Sequence, residues 1–197
     1  DVHTGALAWA WNSAPPGMEP EPGEPYVRGT PNAWAPLAVD SERKLVFVPT
    51  GNPATDHTNI IRGEKDHYAA SIVALDATTG KELWVYKMPG NTRPAPRGMA
   101  YWPGEGDYAP ELIFGTNDGK MMAIDVKTGK PAERFGDHGV VNLKTPDIMR
   151  GDDKNYALTS PPGIYKNLVM TGGSGPEESR SISGDERAWD VRTGKLV

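Results

Sequence analysis

The chain has 197 residues, room for one generous domain or two small ones, and its 21 Lys and Arg against 26 Asp and Glu give a formal net charge of −5. That balance, with no Lys/Arg cluster, argues against a nucleic-acid partner. The absence of cysteine removes disulfides, zinc–thiolate sites and cysteine nucleophiles, and no run of about 18 apolar residues reads as a membrane-spanning helix.

After the turn Asp1-Val2-His3-Thr4-Gly5, residues 6–11 read as a strand carrying Trp9 and Trp11. Residues 12–31 hold Pro15, Pro16, Pro20, Pro22, Pro25 and Pro31; such a stretch cannot pair in a sheet but is long enough to cover one face of a domain. Strands are expected over 34–39 and 44–49, joined by Asp40-Ser41-Glu42-Arg43. A polar loop over 51–67 precedes a strand over 70–75, and a hairpin through Asp76-Ala77-Thr78-Thr79-Gly80 leads to Trp84 and Tyr86. Residues 88–97 form a Pro- and Gly-bearing connector. The pattern resumes at 111–115, and Asn117-Asp118-Gly119 before the apolar run 120–125 is a strong hairpin signal. Residues 136–158 read as loop, 164–171 as a further strand, and 172–183 as a polar, glycine-bearing loop. Helical periodicity is nowhere sustained, so the chain reads as all-β.

One pattern recurs four times: Asp1-Val2-His3-Thr4-Gly5, Asp76-Ala77-Thr78-Thr79-Gly80, Asp125-Val126-Lys127-Thr128-Gly129 and Asp190-Val191-Arg192-Thr193-Gly194. Asp or Thr caps each turn through side-chain bonds to the backbone, and Gly takes the positive-φ position. A repeated hairpin cannot bury its own faces and must stack on its copies, which points to a β-propeller. Only the Gly80-to-Gly129 interval approaches the roughly 40–50 residues of a plain four-stranded blade, so the others carry long loops. The expected division is 1–90, a blade with long loops, then 91–135 and 136–197, one blade each. Three blades fall short of the usual four to eight, and the chain is expected to be part of a larger propeller. Trp9, Trp84 and Trp189 are read as blade-packing residues.

Three loops carry candidate ligand groups. Thr50-Gly51-Asn52-Pro53 offers a side-chain amide, Thr159-Ser160-Pro161-Pro162 two hydroxyls, and Gly172-Gly173-Ser174-Gly175-Pro176-Glu177-Glu178 carboxylates after a glycine run. Carboxylate with amide oxygen suits a hard cation; taken alone, each loop is first read as a simple turn. Asp56-His57 and Asp66-His67-Tyr68 lack the spacing of a zinc site and read as solvated loop. Trp34, outside the turn motif, is either a packing residue or a flat platform for a ligand. No Ser-His-Asp set or glycine-rich phosphate loop is present.

The run Ala-Leu-Asp-Ala-Thr-Thr-Gly-Lys-Glu-Leu-Trp at 74–84 resembles the tryptophan-docking motif of quinoprotein dehydrogenases that use pyrroloquinoline quinone (PQQ). Asn32-Ala33-Trp34-Ala35-Pro36, Gly51-Asn52-Pro53, Arg97-Gly98-Met99-Ala100-Tyr101-Trp102, Thr159-Ser160-Pro161-Pro162 and Arg187-Ala188-Trp189-Asp190 extend the resemblance over most of the chain, in particular to the membrane-bound glucose dehydrogenase group and the quinoprotein alcohol dehydrogenases. The resemblance implies about three blades of an eight-bladed type of propeller. It makes Trp34 the floor on which the quinone stacks, Arg97 a partner of a PQQ carboxylate or carbonyl, and Thr159 and Ser160 hydrogen-bond donors to the cofactor. Asn52 and Glu177 (or its neighbour Glu178) become ligands of a Ca²⁺ or Mg²⁺ ion that polarises the reactive carbonyl, with Glu177 also at the cofactor. It further implies a sugar or alcohol substrate, hydride transfer to the quinone, a respiratory quinone or cytochrome acceptor, and a periplasmic location.

The family's His-Asp-x-Trp-Asp-type segment, which holds its catalytic aspartate, has no counterpart after residues 70–86, where Lys87-Met88-Pro89-Gly90 follows directly. No catalytic residue is therefore assigned. The portion like 97–197 precedes the portion like 1–87 in the family, so the chain reads as a permuted piece. A non-catalytic propeller scaffold for protein interaction is the alternative reading, and open blade edges offer a route to self-association.

Overall fold

The structure, a computed structural model, describes residues 1–54, 63–150, 156–174 and 184–197. Three antiparallel sheets follow one another along the chain. The first runs β1 (Ala38–Asp40), β2 (Leu45–Pro49), β3 (Ser71–Asp76) and β4 (Glu82–Lys87) in spatial order; the second runs β5 (Ala100–Trp102), β6 (Glu111–Gly115), β7 (Lys120–Asp125) and β8 (Val140–Asn142). In the third, β9 (Gly163–Tyr165) and β11 (Glu186–Asp190) flank β10 (Leu168–Gly172). Each is a meander of neighbouring strands, the construction of a propeller blade.

The blades stack face to face. Leu112, Phe114, Met122 and Ile124 of the second sheet share a core with Phe47, Ile72 and Ala74 of the first. Ile113, Met121 and Ala123, pointing the other way by strand alternation, share a core with Val169, Trp189 and Val191 of the third. The middle sheet is thus buried on both faces, which is why β6 and β7 are continuous apolar runs. The third sheet buries one face and leaves Tyr165 and Met170 exposed on the other. On the far side of the first sheet, Val48, Val73 and Leu75 pack with Tyr68, Trp9 and Trp11.

The repeated turn does the joining. In all four copies the Asp Oδ1 accepts bonds from the backbone amides two and three residues on and from the Thr hydroxyl, with lengths of 2.9, 2.7 and 2.9 Å at Asp76. The glycine amide donates to the Asp carbonyl at 2.8 Å in Asp76–Gly80. Gly80 and Gly129 have φ of 72° and 68°, and each lies beneath an indole of another repeat. Trp9 covers Gly80 and donates from Nε1 to Ala77 O at 2.9 Å; Trp84 covers Gly129 and donates to Val126 O at 3.0 Å. A Cβ on Gly129 would come 2.6 Å from the Trp84 ring, so this glycine answers both backbone conformation and close approach.

Several sequence expectations are corrected. Residues 6–11 form no strand: the segment docks through Trp9 and Trp11 without a backbone ladder. The strand expected over 34–39 shortens to Ala38–Asp40, downstream of Pro36, which has no N–H to donate. The strand over 164–171 is two, β9 and β10, with Lys166 at φ 54° in the turn between them. Within 136–158, β8 and a four-residue helix (Pro146–Met149) appear, both too short to leave a period in sequence. Trp189 does pack between blades, in the core shared by the second and third sheets, but its Nε1 donates to Thr171 Oγ1 of its own sheet at 2.9 Å and not to a turn of another repeat. At the third junction, Val141 and Gly136 abut Gly194 instead, with Gly136 N donating to Thr193 O at 2.9 Å.

Two outcomes test this joint. Trp84→Ala should destabilise the chain by about 2–4 kcal/mol in urea unfolding, and combining it with Gly129→Ala should cost much less than the sum, because both remove one contact. The Thr79 hydroxyl and nearby amides hold the Asp76 carboxyl below its ordinary 3.8, and the Arg192 guanidinium does so for Asp190. These groups favour the folded state above about pH 4, and that contribution is lost as pH falls through their folded values. The urea midpoint should therefore drop below about pH 4, less steeply in an Asp76→Asn, Asp190→Asn double variant.

Candidate functional site

At one rim of the blades, three connections converge because each is tied to a strand end. Behind β2, the Thr50 hydroxyl is buried, donates to Tyr68 O and to Ser71 O (3.1 Å), and accepts from Ser71 N (3.0 Å). The next residue, Gly51, donates to Asn32 O at 2.9 Å, and a Cβ there would stand 2.9 Å from Asn32 Oδ1. This contact lays Asn32-Ala33-Trp34 across Gly51-Asn52.

The second connection is the β6–β7 turn. Asn117 Oδ1 accepts from Arg93 N at 2.6 Å, Asn117 N donates to Arg93 O at 3.2 Å, and Ala95 N donates to Gly115 O at 2.8 Å. Residues 92–95 are thereby strung along the strand end. Asp118 is locked by Thr92 Oγ1 (2.9 Å), Thr116 Oγ1 (2.6 Å) and Lys120 Nζ (2.7 Å). Burial pushes its carboxyl up, but these donors outweigh burial and hold it below the ordinary value. Asp118 is a structural anion, unsuited to accept a proton near neutrality.

The third connection, residues 156–159, runs beside the same strand end. Leu158 N donates to Thr116 O at 3.3 Å, and Ala157 exchanges two 3.0 Å bonds with Ser174. Leu158 passes so near Gly115 that a Cβ on the glycine would meet the leucine Cβ at 2.1 Å. Glycine is required here for space.

Between the three connections lies an open cavity of about 410 Å³, lined among others by Trp34, Asn52, Thr159, Asn32, Arg93 and Asn117. Trp34 is 75% exposed, an unusual state for an indole within a wall. The lining offers an aromatic face, amides, a hydroxyl and a guanidinium, and among the described residues it includes no Asp or Glu. That set fits a flat, hydrogen-bonding, anionic ligand of the size ordinary pockets hold.

Of the residues singled out from sequence, Trp34, Asn52 and Thr159 come together here. Ser160 is exposed next to Thr159 and outside the lining; Arg97 is exposed and also outside it. Glu177 and Glu178, like Asp56 and His57, lie outside the described residues. His67 packs edge-on against the Tyr68 ring, with centroids 4.4 Å apart. Among the described residues no group of three or more His, Asp or Glu is placed to hold a metal. Sequence reasoning missed Arg93 and Asn117 as lining residues. The Asn-Asp-Gly hairpin signal located Asn117, but nothing local shows that a connector arginine pairs with it.

The stacked meanders are blades of a propeller, with an aromatic-walled cavity at the rim. The family of PQQ glucose/ethanol/alcohol dehydrogenase β-propeller domains matches residues 1–91 and 87–197, and the chain belongs to it. It is 38% identical over 159 residues to a probable quinate dehydrogenase (quinone) of Xanthomonas campestris pv. juglandis, covering 77% of this chain and 19% of that protein. It is 34% identical over 173 residues to the quinate/shikimate dehydrogenase (quinone) of Acinetobacter baylyi, covering 83% and 21%. The chain thus spans about a fifth of the length of these curated relatives. Among solved structures, a europium-containing methanol dehydrogenase has the same fold, with TM-score 0.52 and 21% identity over 85% of this chain and 25% of that one.

The crowding at Gly115 makes a sharp test of how the rim is held. Gly115→Ala should destabilise by about 2 kcal/mol or more, because the displaced atoms are backbone and Cβ of Leu158. The urea midpoint reads this directly, and backbone amide shifts at 157–159 should move more than those at 51–52.

Proposed function

We propose that this stretch supplies the binding and orienting part of a PQQ site in a quinoprotein dehydrogenase. The observation that carries this reading is the exposed Trp34 face, set in one cavity with Asn52, Thr159, Arg93 and Asn117. Trp34 presents a stacking surface to a planar ring system. Arg93 from inside the lining, or Arg97 from the same connector, would meet the cofactor's anionic groups. Thr159 in the lining, and Ser160 beside it, offer hydroxyl donors, and the Asn52 amide oxygen one ligand for Ca²⁺ or Mg²⁺, with Glu177 as its carboxylate partner. When bound, PQQ accepts a hydride from the carbon that bears the substrate hydroxyl.

The cavity's described residues hold and orient; none of these is a carboxylate suited to remove a proton. Relatives named for quinate, glycerol, glucose and alcohol share a hydroxyl-bearing carbon, so a sugar, polyol or alcohol is the substrate class we propose. A respiratory quinone or cytochrome as acceptor and a periplasm-facing location belong to the same proposal. The described lining residues include no Asp or Glu, which favours a second reading, a propeller scaffold that binds a partner protein and no cofactor.

Calorimetric titration with PQQ in excess Ca²⁺ separates the two. The dehydrogenase reading expects saturable binding that weakens about tenfold in Trp34→Ala, the loss of one stacking face, and loses metal dependence in Asn52→Ala. Parallel Arg93→Ala and Arg97→Ala titrations identify which arginine meets the cofactor. No heat from a folded sample would leave the scaffold.

A further inference from the structure

In each sheet, the turn aspartate faces one residue directly across the ladder. That residue is Leu45 opposite Asp76 in the first sheet and Leu168 opposite Asp190 in the third. In the middle sheet it is Glu111, opposite Asp125. Glu111 is only 5% exposed, and its Oε2 has no hydrogen-bond partner among the described residues. A carboxylate in direct register with another, in a position the sister blades fill with leucine, conflicts with both burial and like-charge repulsion.

Among the described residues, no cation on the surrounding elements resolves the conflict. On β5 the register partner of Glu111 is Trp102. Glu111 shares a sheet face with Ile113, toward the core built with Val169, Trp189 and Val191. The charged pair of the third sheet's turn, Arg192 and Asp190, closes on itself at 2.5 Å. Lys127 and Lys130 of the Asp125 turn are exposed, as are Glu105 and Asp107 of the β5–β6 connection. On the opposite face, Arg43 is engaged with Asp40 at 3.1 Å and with the Tyr101 hydroxyl. Burial first, and the Asp125 charge second, push the Glu111 carboxyl up to about 7.

The place matters because the adjoining turn seats the neighbouring blade. Val126 N donates to the carbonyl of Pro110, the residue before Glu111, at 3.1 Å, while Val126 O receives the Trp84 indole and Gly129 lies under its ring. We propose that Glu111 enters the folded middle blade as a neutral carboxylic acid and that its ionisation loosens the β6–β7 ladder at the Asp125 turn. The seat of Trp84 is then a proton-linked joint, firmer in mildly acid than in alkaline solution.

The sign follows from linkage. The folded value lies above the ordinary 4.5, so folding takes up a proton. The contribution is full below about pH 4.5, declines as pH rises toward 7, and changes no further above it. Over that span the folding constant should fall on the order of a hundredfold or more. His138, raised by its exposed pairing with Glu133, loses its own contribution as pH rises through a neighbouring range. Comparison against a Glu111→Leu variant cancels that effect.

The experiment is urea unfolding of wild type, Glu111→Leu and Glu111→Gln from pH 4.5 to 8.5, with infrared detection of the protonated carboxyl C=O band. The expected result is a wild-type folding constant that falls toward pH 7 relative to both variants, so that Glu111→Leu is the more stable chain at pH 8. A carboxyl band that titrates near 7 and disappears in Glu111→Gln accompanies it. Parallel stability curves, or a Glu111 side chain already ionised at pH 5.5, would overturn the proposal. So would stabilisation of wild type at pH 8 by millimolar Ca²⁺ that Glu111→Leu abolishes, since a cation would then be what the pair holds.

Discussion

An indole lying flat on a glycine of the adjoining repeat is the contact on which the rest of this structure depends. Trp84 over Gly129 joins the first sheet to the second, and Trp9 over Gly80 joins the amino-terminal segment to the first. Each contact needs an Asp-capped turn to present the glycine at positive φ, a bare Cα for the ring to approach, and a carbonyl to take the indole N–H. Remove any one and the sheet loses its angle to its neighbour. The junction at Gly194 shows how far the device can vary, because Val141 and the Gly136 amide stand in for the indole there.

That docking turns strand ends into a rim. The residues gathered in the cavity come from stretches far apart in sequence: 32–35, 49–52, 93–96, 117 and 157–159. Each is fixed by bonds that begin at a strand end, such as Gly51 to Asn32, Asn117 to Arg93 and Leu158 to Thr116. The cavity is therefore as rigid as the stacking behind it. Its chemistry divides cleanly: an aromatic face and a cation for binding, amides and a hydroxyl for orientation, and Asp118 spent on holding the turn.

The middle blade combines the best-buried sheet with the least comfortable residue. β6 and β7 are covered on both faces, yet Glu111 occupies a position that is leucine in the sheets on either side. A sheet buried on both faces can tolerate such a group because its ladder is supported from two directions. The same burial leaves the carboxyl without water to solvate its charge.

The amino-acid sequence by itself determined the all-β class, the four Asp-to-Gly turns, the Asn-Asp-Gly hairpin and the family, because all of these are local patterns with fixed spacing. It also marked Trp34, Asn52 and Thr159, which the fold then brought to one cavity. Strands of three residues, such as β8 and β9, left no periodicity to read, and the tryptophans at 9 and 11 suggested a strand where side-chain docking alone holds the chain. Trp189 looked like its partners at 9 and 84 but turned inward to Thr171, since an indole's role depends on which carbonyl or hydroxyl its N–H reaches. Arg93 beside Asn117, and Glu111 across from Asp125, are long-range pairings. Only tertiary structure decides them, because register and blade stacking, not neighbouring residues, set which side chains meet.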